Sequence, residues 1–352
     1  MLYGGRSAEH DVSCTTAAHV LRAVDSKRYD ITPIGIGRDG SWHLDVASQQ
    51  ALATDPASLP RRLDPIGEPV SATPLLATAT AAAHDRGQVV VLPLLHGPMG
   101  EDGTVQGLLE LADVAYVGSG VLGSAVGMDK AMAKQILAAA GIPQARSRSL
   151  RDTDVTAATA EALAVELGLP VFVKPANMGS SVGVSKARSV EAVADALAVA
   201  FGYDEWVVVE EAIVGREIEV AVLGNAEPRA SVPGEIVPGA EFYSYDDKYV
   251  DDGAQLLVPA PLSPSEADDI RALALEVFRA LRCDGLARVD FFYEETGRGW
   301  LCNEVNTMPG FTPISMYPKL WEASGLGYSA LIDELVRLAL ERHTRHRRNT
   351  TR

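Results

Sequence analysis

Arg288-Val289-Asp290 and Glu304-Val305-Asn306 are two short polar stretches near the end of this 352-residue chain. In a β-strand successive side chains point to opposite faces, so Arg288 and Asp290 share a face, as do Glu304 and Asn306. Two neighbouring strands of this kind would bring two carboxylates, an amide oxygen and a guanidinium to one point. Oxygen ligands suit Mg²⁺, which usually binds together with substrate phosphates. The pattern therefore predicts a magnesium site in a protein that uses a nucleotide.

A solvated strand face with ordinary surface ion pairs is the alternative for either stretch taken alone. The flanking residues argue against it, because Leu286-Ala287 and Phe291-Phe292 surround the first stretch and Trp300-Leu301-Cys302 precedes the second. Apolar neighbours of this kind predict that the polar groups lie in a buried or half-buried place.

Length, charge and cysteine content limit the class of protein. A chain of this length is expected to form two or three domains. The formal net charge of −16 argues against nucleic acid or an anionic membrane as the main partner. No apolar run approaches membrane-spanning length. Cys14, Cys283 and Cys302 are widely spaced and form no CxxC motif, which predicts buried, reduced thiols in a cytoplasmic protein.

Strand and helix patterns alternate along the chain, which predicts an α/β fold. The first strand, Leu2-Tyr3, is short before Gly4-Gly5, so either the protein starts upstream or this strand is weak. Residues 45–75 are rich in Pro, Ala, Ser and Thr and predict a long surface excursion. The apolar run 88–95 predicts a buried parallel strand, which ends at His96, where an α/β sheet would place a ligand. The remaining predicted elements of this part are a helix over 13–24, a strand over 29–36 and a turn over 38–40.

The rest of the chain divides into two further predicted units. The second begins with a helix over 128–140, and the third begins near residue 211. A polar, basic tail over 343–352 is predicted to be disordered. The elements between are strands over 171–174, 182–186 and 217–223 and helices over 191–201, 265–281 and 329–342.

Two glycine-rich segments resemble nucleotide motifs only in part. Gly118-Ser119-Gly120-Val121-Leu122-Gly123 fits G-x-G-x-x-G, but no acidic residue follows about twenty positions later, so a turn at a domain junction is predicted instead. The segment 179–186 lacks the order of a Walker loop.

The segment Gly179-Ser180-Ser181-Val182-Gly183 nevertheless suits a phosphate cover, because small residues let backbone N–H groups approach phosphate oxygens. Lys174 leaves an apolar strand just before it, and Lys130 begins a helix whose dipole already favours anions. Each lysine alone is more often a surface charge. Together with the predicted magnesium site, they favour phosphate binding.

Acidic residues stand at two other strand ends. Glu9 lies at the first strand-to-helix turn, where a carboxylate would favour a substrate ammonium over a phosphate. The alternative is that Glu9 only caps the following helix. A second acidic segment is the sharply turned loop over 96–103, which opens a helix. There the simpler interpretation of Asp102 is that it is the N-cap of that helix.

Six motifs resemble D-alanine–D-alanine ligases, which are ATP-grasp enzymes of peptidoglycan synthesis. They occur in the family's order and cover most of the chain apart from 45–85 and the tail. The motifs are GGRSAEHDVS (4–13), HGPMGEDGTVQG (96–107), MDK (128–130), VFVKPANMGSSVGVSK (171–186), LARVDFF (286–292) and NEVNTMPGFTPISM (303–316).

The resemblance implies an α/β, three-domain ATP-grasp architecture with an N-terminal Rossmann-like domain. The implied divisions are an N-terminal substrate domain over 1–118, a central lid domain over 119–210, a C-terminal metal-binding domain over 211–345 and a disordered tail over 346–352. It further implies a homodimer that uses D-alanine and ATP with two Mg²⁺ ions, for which Mn²⁺ can substitute. The net charge already argues against a nucleic-acid or membrane partner.

The resemblance also implies a role for each matched residue. Glu9 would hold the ammonium of the first D-alanine, with Ser180 and Tyr249 hydrogen-bonded to it. Lys130, Lys174 and Lys248 would contact phosphates, Glu210, Glu211 and Ile213 the adenine, and Glu217 the ribose. Asp290, Glu304 and Asn306 would hold the metal ions. Arg288 and the Gly310 N–H would form the oxyanion hole, and His96, Ser315 and Met316 would contact substrate.

Two alternatives stay open at this point. One is a D-alanine–D-lactate or D-serine ligase of the same fold, with Tyr249 as the residue expected to select the nucleophile. The other is a regulator that binds nucleotide without catalysis, which the complete metal set and Arg288 disfavour. Residues 239–253 are predicted to form a mobile loop that closes over the nucleotide.

Overall fold

The computed structural model of the chain describes residues 1–72, 88–239 and 255–347. Within these ranges no helix is both long and apolar enough to cross a membrane. The strands form separate sheets along the chain, and helices cover them.

The N-terminal part is a mixed sheet. β1 pairs in parallel with β2, and β3 and β4 continue the sheet antiparallel. A parallel pair, β5 and β6, adjoins β1 through a bridge between Leu2 and Pro93. The strands are β1 (Leu2–Gly4), β2 (Ile34–Ile36), β3 (Trp42–Leu44), β4 (Glu68–Val70), β5 (Val90–Val91) and β6 (Ala115–Tyr116). The helices are His10–Ala23, Val46–Thr54, Thr104–Leu111 and Val121–Met128.

The middle part is an antiparallel sheet in the order β7-β10-β8-β9. Its strands are β7 (Ser147–Arg151), β8 (Val171–Pro175), β9 (Ser185–Ala187) and β10 (Trp206–Glu211). The helices Thr159–Leu167 and Val190–Phe201 bury their apolar faces on this sheet and form a separate core with it.

The C-terminal part is a larger antiparallel sheet in the order β14-β13-β11-β15-β16, with β12 paired to β11. Its strands are β11 (Arg216–Gly224), β12 (Arg229–Ala230), β13 (Gly234–Val237), β14 (Gln255–Leu257), β15 (Gly285–Glu294) and β16 (Gly299–Asn306). The helices Lys130–Ala139 and Pro264–Ala280 pack against one face of it, and Met316–Ala323 and Tyr328–Arg347 contribute to the core on the other. Side chains of β11 alternate between these cores, with Val220 in one and Ala221 in the other.

Several predicted elements are wrong in extent. The stretch over 45–75, predicted as a surface excursion, contains the helix Val46–Thr54 and the edge strand Glu68–Val70. Asp45 caps the helix by accepting from the Ser48 N–H, and the strand pairs with β3. The strands predicted over 29–36 and 88–95 shrink to Ile34–Ile36 and Val90–Val91. A run of residues forms a strand only where its backbone pairs residue by residue with a neighbouring strand, and here that pairing covers Ile34–Ile36 and Val90–Val91.

Other predictions fail at helix boundaries. The helix predicted over 128–140 begins at Lys130, since Asp129 accepts from the Met132 N–H, and Met128 ends a preceding helix. That preceding helix starts at Val121, inside the segment predicted to be only a turn. The final helix extends to Arg347, into the tail predicted to be disordered, and the strand predicted over 182–186 lies instead at Ser185–Ala187.

The N-terminus of the helix Pro264–Ala280 generates a stability prediction. Ser263 Oγ accepts from the Glu266 N–H, and Glu266 Oε2 accepts from the Ser263 N–H at 2.7 Å, which is a capping box. Ser263→Ala should lower the free energy of unfolding by about 1 kcal/mol because one N–H of the first turn loses its partner. Ser263→Thr keeps the acceptor and should stay close to the parent in urea denaturation. Equal midpoints for the Ala and Thr variants would contradict this account.

Candidate active site

The three sheets border one cleft of about 1300 Å³. β15 and β16 form one wall, the middle sheet forms another, and the turn after β1 closes one end. Most of the predicted site residues in the described ranges line it, as the following groups show.

The polar faces of β15 and β16 meet as the alternation predicted. Asp290 lies opposite Glu304, and Arg288 lies opposite Asn306, in antiparallel register. The Asn306 amide group is 2.9 Å from Asp290 Oδ2 and 3.5 Å from Glu304 Oε1, so the three side-chain ends converge. Val289 on the same strand points the other way, into the core. The register therefore builds the oxygen-rich cluster directly.

Arg288 is a buried cation held by two carboxylates. Its Nε and Nη2 donate to the two oxygens of Asp290, each at 2.7 Å, and its Nε is 3.0 Å from Glu219 Oε2. Burial works to lower the pKa of Arg288, but attraction from Asp290 and Glu219 outweighs it and raises that pKa further above its ordinary range. The guanidinium is therefore permanently charged in the cleft.

Lysines form the opposite wall. Lys130, the first residue of its helix, donates from Nζ to the Met178 carbonyl at 2.6 Å. Burial lowers its pKa. Lys174 on β8 donates to Glu210 Oε2 on β10 at 2.9 Å. For Lys174, burial works to lower the pKa, and attraction from Glu210 and Glu304 outweighs it, so the pKa is raised.

Glu9 and Ser180 come together across the cleft, with Ser180 Oγ donating to Glu9 Oε1. Glu9 holds the N-cap position of the first helix, but its side chain makes no capping hydrogen bond, so the simple capping role is not what the geometry shows. A Cβ at Gly97 would lie 2.8 Å from Glu9 Oε2, and one at Gly179 would lie closer still. Ser180 adopts a left-handed φ of 45°, a conformation that non-glycine residues adopt at a cost.

The acidic loop over 96–103 ties the first sheet to the end of β16. Glu101 accepts from the Gly97 N–H at 2.7 Å and the Met308 N–H at 3.1 Å, and His96 Nδ1 contacts the Met308 carbonyl at 3.0 Å. Burial raises the pKa of Glu101 to about 8, with a further contribution from Glu9. Burial lowers the pKa of His96, so its imidazole is neutral at pH 7. Asp102 bonds within the loop, where Gly103 is the N-cap.

The remaining predicted residues lie along the same cleft. Glu211, Ile213 and Glu217 line it at the ends of β10 and β11, and Gly310, Ser315 and Met316 line it after β16. Glu211 accepts from Arg146 and Arg298, and Ser315 Oγ contacts the Thr312 hydroxyl at 2.8 Å. Lys248, Tyr249 and the loop predicted over 239–253 lie outside the described residues, apart from residue 239.

Three residues with direct contacts to this site were missed in the sequence. Lys134 lies 3.3 Å from Glu210 Oε1, Glu219 pairs with Arg288, and Glu101 joins two loops. Lys134 follows Lys130 by four positions on one helix, and Glu219 follows Glu217 by two on one strand. Both spacings place the missed residue on the same face as a predicted site residue. The contacts of Glu101 join segments far apart in the chain, and only tertiary structure reveals them.

The cluster on β15 and β16 fits a divalent cation by its donor types. The Asn306 amide nitrogen lies 2.9 Å from an Asp290 oxygen and 3.5 Å from a Glu304 oxygen, and the Asn306 oxygen would face the ion after a half-turn of the amide. Asp290 would then exchange its contacts with Arg288 for the metal, while Glu219 keeps the guanidinium paired.

Comparison with known proteins gives consistent results over nearly the whole chain. Residues 1–119 match the family described as "D-ala D-ala ligase N-terminus", and residues 136–337 match "D-ala D-ala ligase C-terminus". The D-alanine–D-alanine ligase of Deinococcus radiodurans is 51% identical over 97% of this chain and 98% of its own length. That of Oceanobacillus iheyensis is 46% identical, with 98% and 95% covered.

Solved structures agree. The D-alanine–D-alanine ligase from Coxiella burnetii has a TM-score of 0.81 and 36% identity, covering 99% of this chain and 96% of that one. The VanG D-Ala:D-Ser ligase from Enterococcus faecalis has a TM-score of 0.79 and 33% identity, covering 96% and 98%.

Glu101 generates a prediction about pH. Its pKa of about 8 in the folded protein exceeds the ordinary 4.5, so the folded state binds this proton more tightly than the unfolded chain does. The free energy of unfolding should therefore fall as pH rises from 4.5 towards 8. Glu101→Gln has no proton to lose, and its profile, measured by urea denaturation across this range, should be flatter.

The matched control for this prediction is Glu161→Gln on an exposed helix face, which should keep the parent profile. A Glu101→Gln profile as steep as that of the parent would show that Glu101 does not carry the pH dependence.

Proposed function

The chain belongs to the D-alanine–D-alanine ligase family, and we propose that its ATP-dependent joining of two D-alanine molecules proceeds through D-alanyl phosphate in this cleft. The observation that carries the proposal is the convergence of buried cations with an oxygen-rich cluster and the Glu9–Ser180 pair in one cavity. A protein that only binds a nucleotide needs cations for the phosphates and neither the Glu9 carboxylate nor Arg288. The additional carboxylate and the permanent guanidinium suit a reaction that makes and uses an acyl phosphate.

In the first step the carboxylate of one D-alanine attacks the γ-phosphorus of ATP, and ADP leaves. Glu9 would bind the ammonium of this D-alanine, with Ser180 and Tyr249 completing the contacts. Lys130, Lys174 and Lys248 would bind phosphate oxygens, Glu210, Glu211 and Ile213 the adenine, and Glu217 the ribose. Phosphoryl transfer depends mainly on positioning and charge neutralisation, which these residues suit.

Asp290, Glu304 and Asn306 would hold two Mg²⁺ ions, or Mn²⁺ in their place. When bound, such ions neutralise phosphate charge and orient the transferring group. The donor types in this cluster are those that hard cations prefer.

In the second step the amine of another D-alanine attacks the acyl carbon, a proton leaves the nitrogen, and inorganic phosphate departs. The tetrahedral oxyanion that forms would be bound by Arg288 and the Gly310 N–H, an interaction worth about 3–4 kcal/mol per donor. Ser315 would contact the second substrate, and His96 would also contact substrate. Met316 has a buried side chain, so its contact would come from the backbone N–H that begins the following helix.

The second substrate has an alternative. The VanG D-Ala:D-Ser ligase shares the fold at 33% identity, so the fold alone does not separate a D-alanine nucleophile from D-serine or D-lactate. The curated relatives at 46% and 51% identity are D-alanine–D-alanine ligases, which favours D-alanine. Tyr249 remains the proposed selector.

The setting of the enzyme is also part of the proposal. We place a substrate domain at 1–118, a lid domain at 119–210 and a metal-binding domain at 211–345. A cytoplasmic homodimer that acts on D-alanine and ATP, with neither membrane nor nucleic acid as partner, fits the net charge of −16.

Phosphate release from ATP tests the function directly. The full chain with Mg²⁺ should release phosphate with D-alanine, should not respond to L-alanine, and should gain nothing when D-lactate or D-serine is added to D-alanine. L-alanine should fail because Glu9 and the cleft fix the orientation of one enantiomer, whereas exclusion of D-lactate and D-serine rests on Tyr249 as the proposed selector. Product analysis showing mainly D-alanyl-D-lactate or D-alanyl-D-serine at neutral pH would establish the alternative ligase instead.

Glu304→Gln tests the proposed metal ligands. It should lose most turnover at millimolar Mg²⁺, because a neutral amide cannot replace the carboxylate charge between two cations. Glu295→Gln is the matched control, since Glu295 pairs with Arg216 at the exposed end of the same strand pair and should leave turnover unchanged. Parent-like rates for Glu304→Gln would remove Glu304 from the metal site.

A further inference from the structure

Glu210 is a carboxylate shared between two lysines in the wall of the cleft. Lys174 Nζ is 2.9 Å from its Oε2, and Lys134 Nζ is 3.3 Å from its Oε1. The Glu210 side chain is 4% exposed, Lys134 is 9% exposed and Lys174 is 14% exposed. This buried triad joins the helix Lys130–Ala139 to β8 and β10.

The carboxylate needs a cation beside it at all times. Burial works to raise the pKa of Glu210, but the two lysines outweigh burial and lower that pKa to about 2, so the group is ionised at neutral pH. An ionised carboxylate that loses its partners inside a protein is strongly destabilising. In the part of the chain that the structure describes, Lys134 and Lys174 are the cations that pair with Glu210.

The two lysines differ in what they face. Lys174 lines the cleft, on the same wall as Lys130, whereas Lys134 lies behind that wall and does not line it. Lys174 is placed diagonally from Glu210 across the paired strands, where Lys174 faces Val208 and Phe172 faces Glu210. A phosphate in the cleft can therefore attract Lys174 away from Glu210, but it cannot attract Lys134.

We propose that Lys134 is a positioning residue that keeps Glu210 neutralised when Lys174 turns to the phosphates of ATP. The proposal rests on the proposed function, since it assigns Lys174 a nucleotide phosphate as its second partner. Lys134 never touches the nucleotide. It acts by removing the cost of transferring Lys174 from one anion to another.

Without Lys134, the Lys174 ammonium would be the last cation on a buried carboxylate. Binding of a phosphate would then compete with an ion pair that has no substitute. Lys134→Met, which keeps most of the side-chain length and removes the charge, should weaken ADP binding by about tenfold, the scale of typical coupling between sites. Adenosine carries no phosphate and meets Glu210 only through its adenine, so its affinity should fall by less than that of ADP. Lys134→Arg keeps the charge and should bind ADP as the parent does.

The experiment measures dissociation constants of ADP and of adenosine for the full-length chain by calorimetry. The supporting result is a lower adenosine-to-ADP ratio of dissociation constants for Lys134→Met, with the parent ratio restored in Lys134→Arg. Equal weakening of both ligands would show a merely structural role and overturn the proposal. Unchanged dissociation constants for both ligands would overturn it as well.

A second pair of variants avoids the buried charge imbalance of Lys134→Met. In the Glu210→Gln background no carboxylate remains to be neutralised, so adding Lys134→Met should leave the adenosine-to-ADP ratio as it is. A further loss of ADP affinity in that double variant would overturn the proposal, because Lys134 would then act on the nucleotide directly. If the parent chain binds neither ligand, the proposed function itself fails and the inference fails with it.

Discussion

Opposite charges brought together by antiparallel register are the constraint on which this site depends. Asp290 and Arg288 lie on one strand two residues apart, and Glu304 and Asn306 face them from the next. Two buried charges of the cleft are held by groups of opposite charge: Arg288 by Asp290 and Glu219, and Glu210 by Lys134 and Lys174. Since unpaired buried charges are costly, these pairs fix the side chains where a ligand would meet them.

The same pairs allow partners to be exchanged. Asp290 serves Arg288 and the proposed metal site, and Lys174 serves Glu210 and the proposed phosphate. In each case a second buried group, Glu219 or Lys134, remains to keep the charge balanced. A cleft that must bind several phosphates, release products and exclude water benefits from charges that are already paired before the ligand arrives. Preorganisation of this kind lowers the cost of reorganisation during the reaction.

Much of the site could be predicted from the sequence, because period-two alternation in strands translates directly into shared faces. The convergence of Asp290, Glu304 and Asn306 followed from that rule, as did the burial expected from their apolar flanks. Lys134 and Glu219 share a face with Lys130 and Glu217, but their partners Glu210 and Arg288 come from elements distant in the sequence, so spacing alone could not identify the pairs. In the fold, the helix Val46–Thr54 was missed because its composition resembled a loop, although Asp45 supplied a cap. The strand over 88–95 was predicted too long because apolar composition alone does not provide a ladder partner.

The central claim is that this cleft activates a D-alanine carboxylate by phosphorylation, and oxygen transfer tests it most directly. D-alanine labelled with ¹⁸O in its carboxylate is turned over with unlabelled ATP and Mg²⁺, and the inorganic phosphate is analysed by mass spectrometry. The account predicts one ¹⁸O atom in each phosphate formed, because the carboxylate oxygen that attacks the γ-phosphorus leaves with it. Phosphate free of ¹⁸O, formed together with the dipeptide, would contradict an acyl phosphate intermediate.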